Sequence, residues 1–430
     1  MKIAYLCHLS NAMVRSHLHL KSYKIRNLVL SLMGRHTKTE YVDFAIWNTD
    51  MASEFEKLQE HEFHIVAPHI GMKKDIEDFV ANGVNYHFYK CNGSLLKDVI
   101  YSKLHLDKCF NYRRFRSKIK TIIESIQPDI VVVCGAEQPY FSSGIFDIKS
   151  CPIYVLLQTV VNNPQLKGYL KGGDEMAAME EAVYKRINYV GTGRKYIQFF
   201  RQYNSKAFCL PFSFPSHQPP MINGVKKIYD FVFYASVITK NKGVEDVILA
   251  YNQVFEKHPT VTLNICGRLT ADYKSYLKGL IDSKAWANQK VVFTGYFPSI
   301  DEKYKHIQKS QIVVVPGISA ALNSTVRESM LMSLPTVVYE TPASIRINAD
   351  SQSVISAKME NVEDLADKME YLLCHPDIAK QIASQGKKYA DKTWNNSIVV
   401  KKMMDNIEAI MKHYYNHQSI PKELLLEEES

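Results

Sequence analysis

Residues Gln311–Ser333, QIVVVPGISAALNSTVRESMLMS, decide how the second half of the chain folds. The run 312–315 is apolar at four consecutive positions, which is typical of a parallel strand covered on both faces. Pro316-Gly317 ends this strand, and a helical spacing of apolar residues begins at Val326. A buried strand, a polar turn and a helix in this order predict part of a doubly wound parallel sheet.

The start of that helix is a candidate anion site. Asn323, Ser324 and Thr325 are good N-cap residues, and the first turn of a helix carries unpaired N–H groups and the positive end of the dipole. A phosphate or diphosphate can bind there. Glu328, one turn further on, is placed to accept hydrogen bonds from sugar or ribose hydroxyls. Thr325-x-x-Glu328 also fits a capping box, a purely structural device, so both interpretations stay open here.

Five groups of segments in the second half form a recognisable series. They are Tyr234–Asp246, which holds a Lys242-Gly243 pair, His258-Pro259 with Leu263–Gly267, Val291–Gly295, Glu328–Pro342, and Leu365–Pro376. No single segment is diagnostic, but together they are spread over most of this half. In order and spacing they resemble the family-4 (group 1) retaining glycosyltransferases, which use nucleotide-sugar donors on a GT-B fold.

The resemblance implies an α/β fold of two Rossmann-like doubly wound domains facing a cleft. It implies transfer of a hexose-type sugar from a nucleotide-diphosphate sugar to a hydroxyl of a glycan or lipid-linked acceptor, with retention, in surface polysaccharide or glycolipid synthesis. Glu328 and Gln158 are the expected catalytic residues. The residues expected to hold the donor and its diphosphate are Lys242, Gly243, Asn323, Ser324, Thr325 and Arg327.

Three positions depart from the family pattern. Gln158 stands at a strand end where many members place a histidine, and a glutamine can form hydrogen bonds but cannot shuttle a proton. Ala320 stands for the first of two family glutamates, and Val237 for an arginine that precedes the Lys-Gly pair. A nucleotide-sugar epimerase-like enzyme and an inactive paralogue therefore stay open as alternatives. The cations that could assist Lys242 with a diphosphate are Lys240, Arg268 and Arg327.

The domain organisation follows from length and pattern. A chain of 430 residues exceeds one ordinary core, and strand and helix patterns alternate through both halves. The proline-rich stretch Pro211–Pro220 breaks this alternation and indicates a linker. The expected parts are an acceptor-side domain over 1–208, a linker over 209–228, a donor-binding domain over 229–395, a helix crossing back to the first domain over 396–418, and a tail over 419–430.

Composition excludes several function classes. The net charge of +9 favours anionic partners, but no nucleic-acid-binding motif accompanies it, so no nucleic acid is expected. The histidines and the eight cysteines lack metal-ligand spacing, so no metal and no cofactor beyond the nucleotide-sugar substrate is expected. No apolar run reaches the roughly 18 residues of a membrane span, and no signal core opens the chain, so a cytoplasmic location is expected.

The first half offers acceptor-side candidates. Glu137 follows the buried strand pattern 130–134, where open α/β sheets bind ligands, although an ordinary loop carboxylate fits equally. Arg15 is the second candidate and opens a stretch, Arg15–Lys38, that mixes cations with apolar residues. A similar stretch covers Asn111–Lys120. Together they predict peripheral contact with the anionic inner face of a membrane, and solvated helix faces are the alternative.

Overall fold

The computed structural model describes residues 1–22, 41, 43–91, 106–163, 173–222, 224–281, 290–317 and 324–427. The chain divides into two compact units. The first consists of Met1–Pro215 together with Asn396–Ser430, and the second consists of Ser216–Asn395.

The first unit is built on one sheet. Its strands are β1 (Lys2–Leu6), β2 (Glu62–His69), β3 (Ile76–Ala81), β4 (Val84–Lys90), β5 (Ile130–Cys134), β6 (Ile153–Leu156), β7 (Tyr189–Thr192) and β8 (Phe208–Pro211). Their order is β3-β4-β2-β1-β5-β6-β7-β8, and the pairing is parallel except between β3 and β4. β5 is buried at every position, as its apolar run predicts for a strand covered on both faces.

The second unit is built on a fully parallel sheet. Its strands are β9 (Tyr229–Val237), β10 (Leu263–Arg268), β11 (Val291–Gly295), β12 (Ser310–Val314), β13 (Thr336–Tyr339) and β14 (Ile355–Ala357). Their order is β11-β10-β9-β12-β13-β14. The winding direction therefore reverses between β9 and β12, which is the switch point of a Rossmann-type sheet.

Helices cover these sheets. In chain order, the α-helices of the described residues are α1 (Ala12–His17), α2 (Ile46–Phe55), α3 (Leu106–Cys109), α4 (Arg113–Ile126), α5 (Pro139–Ser142), α6 (Gly173–Tyr184), α7 (Ile197–Arg201), α8 (Val244–Lys257), α9 (Ala271–Leu280), α10 (Ile300–Ile307), α11 (Ser324–Leu331), α12 (Pro342–Ile347), α13 (Val362–Cys374), α14 (Pro376–Thr393) and α15 (Asn396–Asn416).

Successive residues of β9 face two different cores. Phe231 and Phe233 pack with α8 and α13, whereas Val232 and Tyr234 pack with α10 and α11. This alternation follows from the two-residue period of a strand and places helices on both faces of the sheet. Both units are thus doubly wound α/β structures, as the sequence predicts.

The long helix α15 belongs to the first unit, although it follows the second unit in sequence. The Asn406 side chain donates 3.0 Å hydrogen bonds to the Tyr154 hydroxyl on β6 and to the Pro211 carbonyl on β8. The Ser397 hydroxyl donates to Glu54 of α2 at 3.0 Å. Asn406 is 1% exposed, so its amide links the helix to two strands from within the core.

The stretch expected to form the linker from residue 209 starts as a strand instead. Cys209 and Leu210 are fully buried in β8, and the first unit ends at Pro215. The prolines of this stretch suggest a break, but β8 is the edge strand of its sheet, where a residue without an N–H is tolerated.

The fold also bears on two features considered from the sequence, the membrane-spanning segments and the cysteines. Among the described residues, no helix is long and apolar enough to cross a membrane. All eight cysteines are free thiols, and five of them are buried.

The contacts of Asn406 lead to a stability prediction. Asn406→Ala should lower the free energy of unfolding of the first unit by about 1–3 kcal/mol, because the Tyr154 hydroxyl and the Pro211 carbonyl lose a buried donor. Thermal melting monitored by circular dichroism measures the loss. The matched control is Glu408→Ala, an exposed position on the same helix, which should melt like the wild type. Equal melting of the two variants would contradict the prediction.

Candidate functional site

The carboxyl ends of β9 and β12 meet at the switch point of the second unit. Gly243 follows β9, has a φ of +79°, and is packed so tightly that a Cβ on it would lie 2.4 Å from the Pro316 carbonyl oxygen. A side chain at this position would collide with the backbone after β12, so glycine is required there. Lys242, directly before it, is half-buried. The structure thus brings the Lys-Gly pair against the end of β12.

The helix that follows β12 supplies a second part of this edge. α11 begins at Ser324, which is exposed, and Asn323 lies outside the described residues. Thr325 is buried, and its carbonyl accepts a 3.0 Å hydrogen bond from the Tyr234 hydroxyl of β9. Because Thr325 is the second helical residue and not the N-cap, a Thr325–Glu328 capping box does not fit the structure.

Glu328 lies one turn inside α11 in an ion pair. Its Oε2 lies 3.3 Å from Nζ of Lys303, and each side chain is 16% exposed. A carboxylate oxygen has two lone pairs, so the paired side chain can still accept further hydrogen bonds. Lys303 was not among the site residues predicted from the sequence. A lysine within an apolar helical stripe could have indicated it, since Lys303 lies on the same stripe of α10 as Ile300, Tyr304 and Ile307.

Arg327 does not join the exposed groups of this edge. Its guanidinium lies 5.9 Å from the Trp394 ring, and burial lowers the pKa of Arg327. Its Nε has no hydrogen-bond partner among the described residues. Packing against Trp394 places the guanidinium, and the predicted contact of Arg327 with a diphosphate stays a prediction.

A cation lies beside the position where the family arginine is replaced. Val237 is 51% exposed at the end of β9 and pairs in register with Arg268 on β10. The Arg268 guanidinium lies 4.4 Å from the centre of the Tyr296 ring, so the aromatic face orients it. Ala320, the other departure, lies outside the described residues.

The switch point of the first unit lies between β1 and β5 and carries a buried carboxyl. Glu137 follows β5, is 2% exposed, and has an Oε2 without a hydrogen-bond partner in the described parts of the chain. Burial, together with the smaller effect of the Glu180 charge, raises the pKa of Glu137 to about 7. The expected acceptor-side carboxylate is therefore a covered group at this edge.

Glu180 of α6 holds the loop after β6. Its two carboxylate oxygens accept hydrogen bonds of 2.9 and 2.8 Å from the backbone N–H groups of Val161 and Asn162. The Asn162 amide adds a third bond of 2.7 Å. Gln158 lies in this loop and is half-buried. The loop that carries Gln158 is therefore fixed by a fully buried carboxylate, and no sequence motif predicted this role for Glu180.

Arg15, the second acceptor-side candidate, is already engaged. Its guanidinium forms a 2.7 Å ion pair with Asp43 and donates to the Ser10 hydroxyl at 3.2 Å. These contacts hold Arg15 near the end of β1, where its charge is compensated by a carboxylate.

The basic stretch 111–120 uses most of its charges and apolar groups internally. Phe115 and Ile119 are buried in the core. Three cations pair with aspartates, and Arg116 beside Asp147 holds the pKa of that carboxyl below its ordinary value. The pairs are Arg114–Asp107, Arg116–Asp147 and Lys118–Asp75. These internal pairs leave fewer charges of this stretch for a membrane surface, and the membrane contact stays a prediction. Residues 23–38 of the other stretch lie outside the described residues.

Within the described ranges, no group of three or more His, Cys, Asp or Glu side chains is arranged to hold a metal ion.

Comparisons with known proteins agree with this geometry. Residues 221–389 match the family model described as glycosyl transferases group 1. This range contains β9 to β14 and α8 to α13, and therefore the switch point with Lys242, Gly243 and Glu328. A search of curated protein sequences gives no significant match.

Solved structures resemble almost the whole chain. Sucrose-phosphate synthase from Thermosynechococcus elongatus has a TM-score of 0.64 at 11% identity, covering 95% of this chain and 98% of that chain. A glycosyltransferase from Rickettsia africae has a TM-score of 0.60 at 14% identity, covering 96% and 98%. HepE from Anabaena, solved with UDP and glucose, has a TM-score of 0.57 at 13% identity, covering 95% and 100%. At these identities the likeness shows the fold, and the predicted GT-B fold class is confirmed.

The buried Glu137 leads to a prediction of pH dependence. Its pKa of about 7 in the folded protein exceeds the ordinary 4.5, so the folded state retains the proton as the pH rises through this window. Stability is lost across the same window, because the unfolded chain has already released its proton. Glu137→Gln should therefore melt at a higher temperature than wild type at pH 8. Its free energy of unfolding should exceed that of wild type by at most on the order of 3 kcal/mol at pH 8, and the two proteins should melt similarly at pH 5.

Melting curves at both pH values measure this difference. The control is Glu124→Gln, an exposed carboxylate that should change neither curve. A difference between Glu137→Gln and wild type that is the same at pH 5 and pH 8 would show that Glu137 does not titrate in this window.

Proposed function

We propose that this chain, which belongs to the group 1 glycosyl transferases, moves a hexose-type sugar from a nucleoside-diphosphate sugar to a hydroxyl of a glycan or lipid-linked acceptor. The observation that carries the proposal is the switch point of the second unit. There Gly243, which follows Lys242, packs against the Pro316 carbonyl, and α11 begins shortly after with Glu328 one turn inside. A cation, a helix N-terminus and a carboxylate are the groups that a diphosphate joined to hydroxylated rings requires.

The chemistry follows from these groups. The oxygen of the acceptor hydroxyl attacks the anomeric carbon, and the bond from that carbon to the phosphate oxygen breaks with its electrons going to the nucleoside diphosphate. The departing phosphate oxygen takes up the proton that the acceptor hydroxyl loses. Negative charge develops on the departing phosphate oxygen, where Lys242 and the N–H groups of α11 stabilise it. Glu328 accepts hydrogen bonds from hydroxyl groups of the donor. Retention of the anomeric configuration is part of the proposal and follows from the family resemblance alone.

The acceptor side of the proposal rests on residues of the first unit. Gln158, half-buried in a loop fixed by Glu180, can form a hydrogen bond with a hydroxyl group, whereas Glu137 is covered and Arg15 is paired with Asp43. A lipid-linked acceptor and a role in surface polysaccharide or glycolipid synthesis would bring the enzyme to an anionic membrane surface. On α4, the exposed Arg113 and the basic residues of the stretch 23–38 would supply charge for that contact.

The test starts with the donor. Thermal melting should rise by several degrees with one nucleotide sugar of a panel of UDP, GDP and ADP sugars, since a ligand that binds only the folded state stabilises it. UDP-glucose comes first, because the similar HepE structure holds UDP and glucose. Incubation of that donor with candidate acceptors, followed by mass spectrometry and NMR of the anomeric proton, then identifies product and configuration.

Glu328→Gln is the matched inactive variant. It should melt within a few degrees of wild type but lose more than about tenfold in turnover. Conversion of the donor to its sugar epimer with the nucleotide still attached would favour the epimerase-like alternative. Binding without any product from the wild type would favour an inactive paralogue.

Lys242 leads to a separate prediction on the diphosphate. Lys242→Ala should weaken binding of the nucleoside diphosphate at least about tenfold, and that of the corresponding nucleoside much less, because it removes a charge that only the phosphates meet. Isothermal titration calorimetry measures both affinities. Lys380→Ala is the control, since that side chain is 81% exposed on α14 and Lys380 is not among the candidate donor-site residues. Equal losses for the two ligands would remove Lys242 from the diphosphate site.

A further inference from the structure

Lys303 is a charged residue on the apolar face of α10. Tyr304 and Ile307 on that face are buried against the sheet of the second unit. Lys303 falls in the same stripe, one turn after Ile300, and its side chain is only 16% exposed. Burying an ammonium group is unfavourable unless a partner compensates the charge, so this position requires one.

Three groups surround the Lys303 ammonium. Nζ lies 3.3 Å from Glu328 Oε2, 4.2 Å from the centre of the Tyr304 ring and 5.6 Å from the centre of the Tyr234 ring. Both ring faces attract a cation. Tyr234 is itself fixed, because its hydroxyl donates to the Thr325 carbonyl in the first turn of α11. The ammonium is therefore preorganised beside the helix that carries Glu328.

An unpaired Glu328 would oppose a diphosphate at the start of α11. Glu328 is four residues after Ser324, about 6 Å along the helix axis, and helical side chains lean toward the N-terminus. That separation is shorter than the Debye length of about 8 Å at physiological salt, so repulsion between the carboxylate and the phosphates would not be screened. The helix can bind both a diphosphate and hydroxyl groups only if the charge of Glu328 is compensated.

We propose that Lys303 is a charge-compensating positioning residue of the donor site. By pairing with Oε2 of Glu328, Lys303 lets α11 accept a nucleoside diphosphate at its first turn and leaves Oε1 to accept hydrogen bonds from hydroxyl groups. This role rests on the function proposed above. It also gives the site a cation from α10, while Val237 stands at the position of the family arginine.

The test compares a nucleoside diphosphate with its nucleoside. UDP, GDP and ADP, and uridine, guanosine and adenosine, are titrated calorimetrically into wild type and into Lys303→Met, Lys303→Arg and the double variant Lys303→Met with Glu328→Gln. The measured quantity is the ratio of the nucleoside Kd to the diphosphate Kd, for the base that wild type prefers. Lys305→Met is the matched control, because Lys305 is exposed on the same helix.

Lys303→Met should lower this ratio at least about tenfold, because it leaves the Glu328 charge uncompensated near the phosphates. Lys303→Arg and Lys305→Met should keep the wild-type ratio. The double variant should recover most of it, since neither charge is then present. A merely structural lysine would not give this recovery, because removing Glu328's charge repairs no packing defect.

The outcomes separate this proposal from the proposed function. If wild type binds a diphosphate and Lys303→Met binds it with an unchanged ratio, the role of Lys303 is wrong and the donor site stands. A double variant that fails to recover the ratio also overturns it. If Lys303→Met melts well below wild type, Lys303→Gln takes its place under the same criteria. If wild type binds none of the three diphosphates, the proposed function fails first, and the role of Lys303 fails with it.

Discussion

The parallel pairing of β9 with β12 is the constraint on which the donor half of the molecule depends. Both strands end at the same edge of the sheet, but α8 and α11, which follow them, pack on opposite faces. The two backbones must separate as they leave the sheet, and they start from direct contact, with Gly243 against the Pro316 carbonyl. The positions of Lys242, the first turn of α11 and Glu328 all follow from this divergence.

The parts of this geometry that rest on local signals could be predicted from the sequence. The apolar run 312–315 and Pro316-Gly317 predict a buried strand with its end, and β12 covers Ser310–Val314. Side-chain positions that depend on residues distant in sequence could not be predicted. Arg327 follows a good N-cap sequence, but Trp394, far along the chain, decides where its guanidinium lies. The Lys303–Glu328 pair joins the successive helices α10 and α11, and the sequence alone does not show which side chains of the two helices meet.

The two units compensate their carboxyl groups differently. In the second unit the ammonium group of Lys303 pairs with Glu328 and leaves the carboxylate side chain partly accessible. In the first unit Glu180 is compensated by N–H groups of the loop that it fixes, whereas the raised pKa of Glu137 reflects burial with little compensation. A carboxylate that must contact a ligand is better served by the first arrangement, since a covered, half-protonated group is a poor hydrogen-bond acceptor. Burial, which decides this difference, was not visible in the residue types alone.

The placement of α15 has a consequence for the order in which the protein can fold during synthesis. The first unit needs Asn396–Asn416 for its core, with Val400, Met403 and Ile407 buried among residues of β1 and α2. Those residues leave the ribosome after the whole of the second unit. Until then, part of the apolar core of the N-terminal segment stays uncovered. The second unit is continuous in sequence, so all its strands are available earlier. The segment made first is thus the last to be finished.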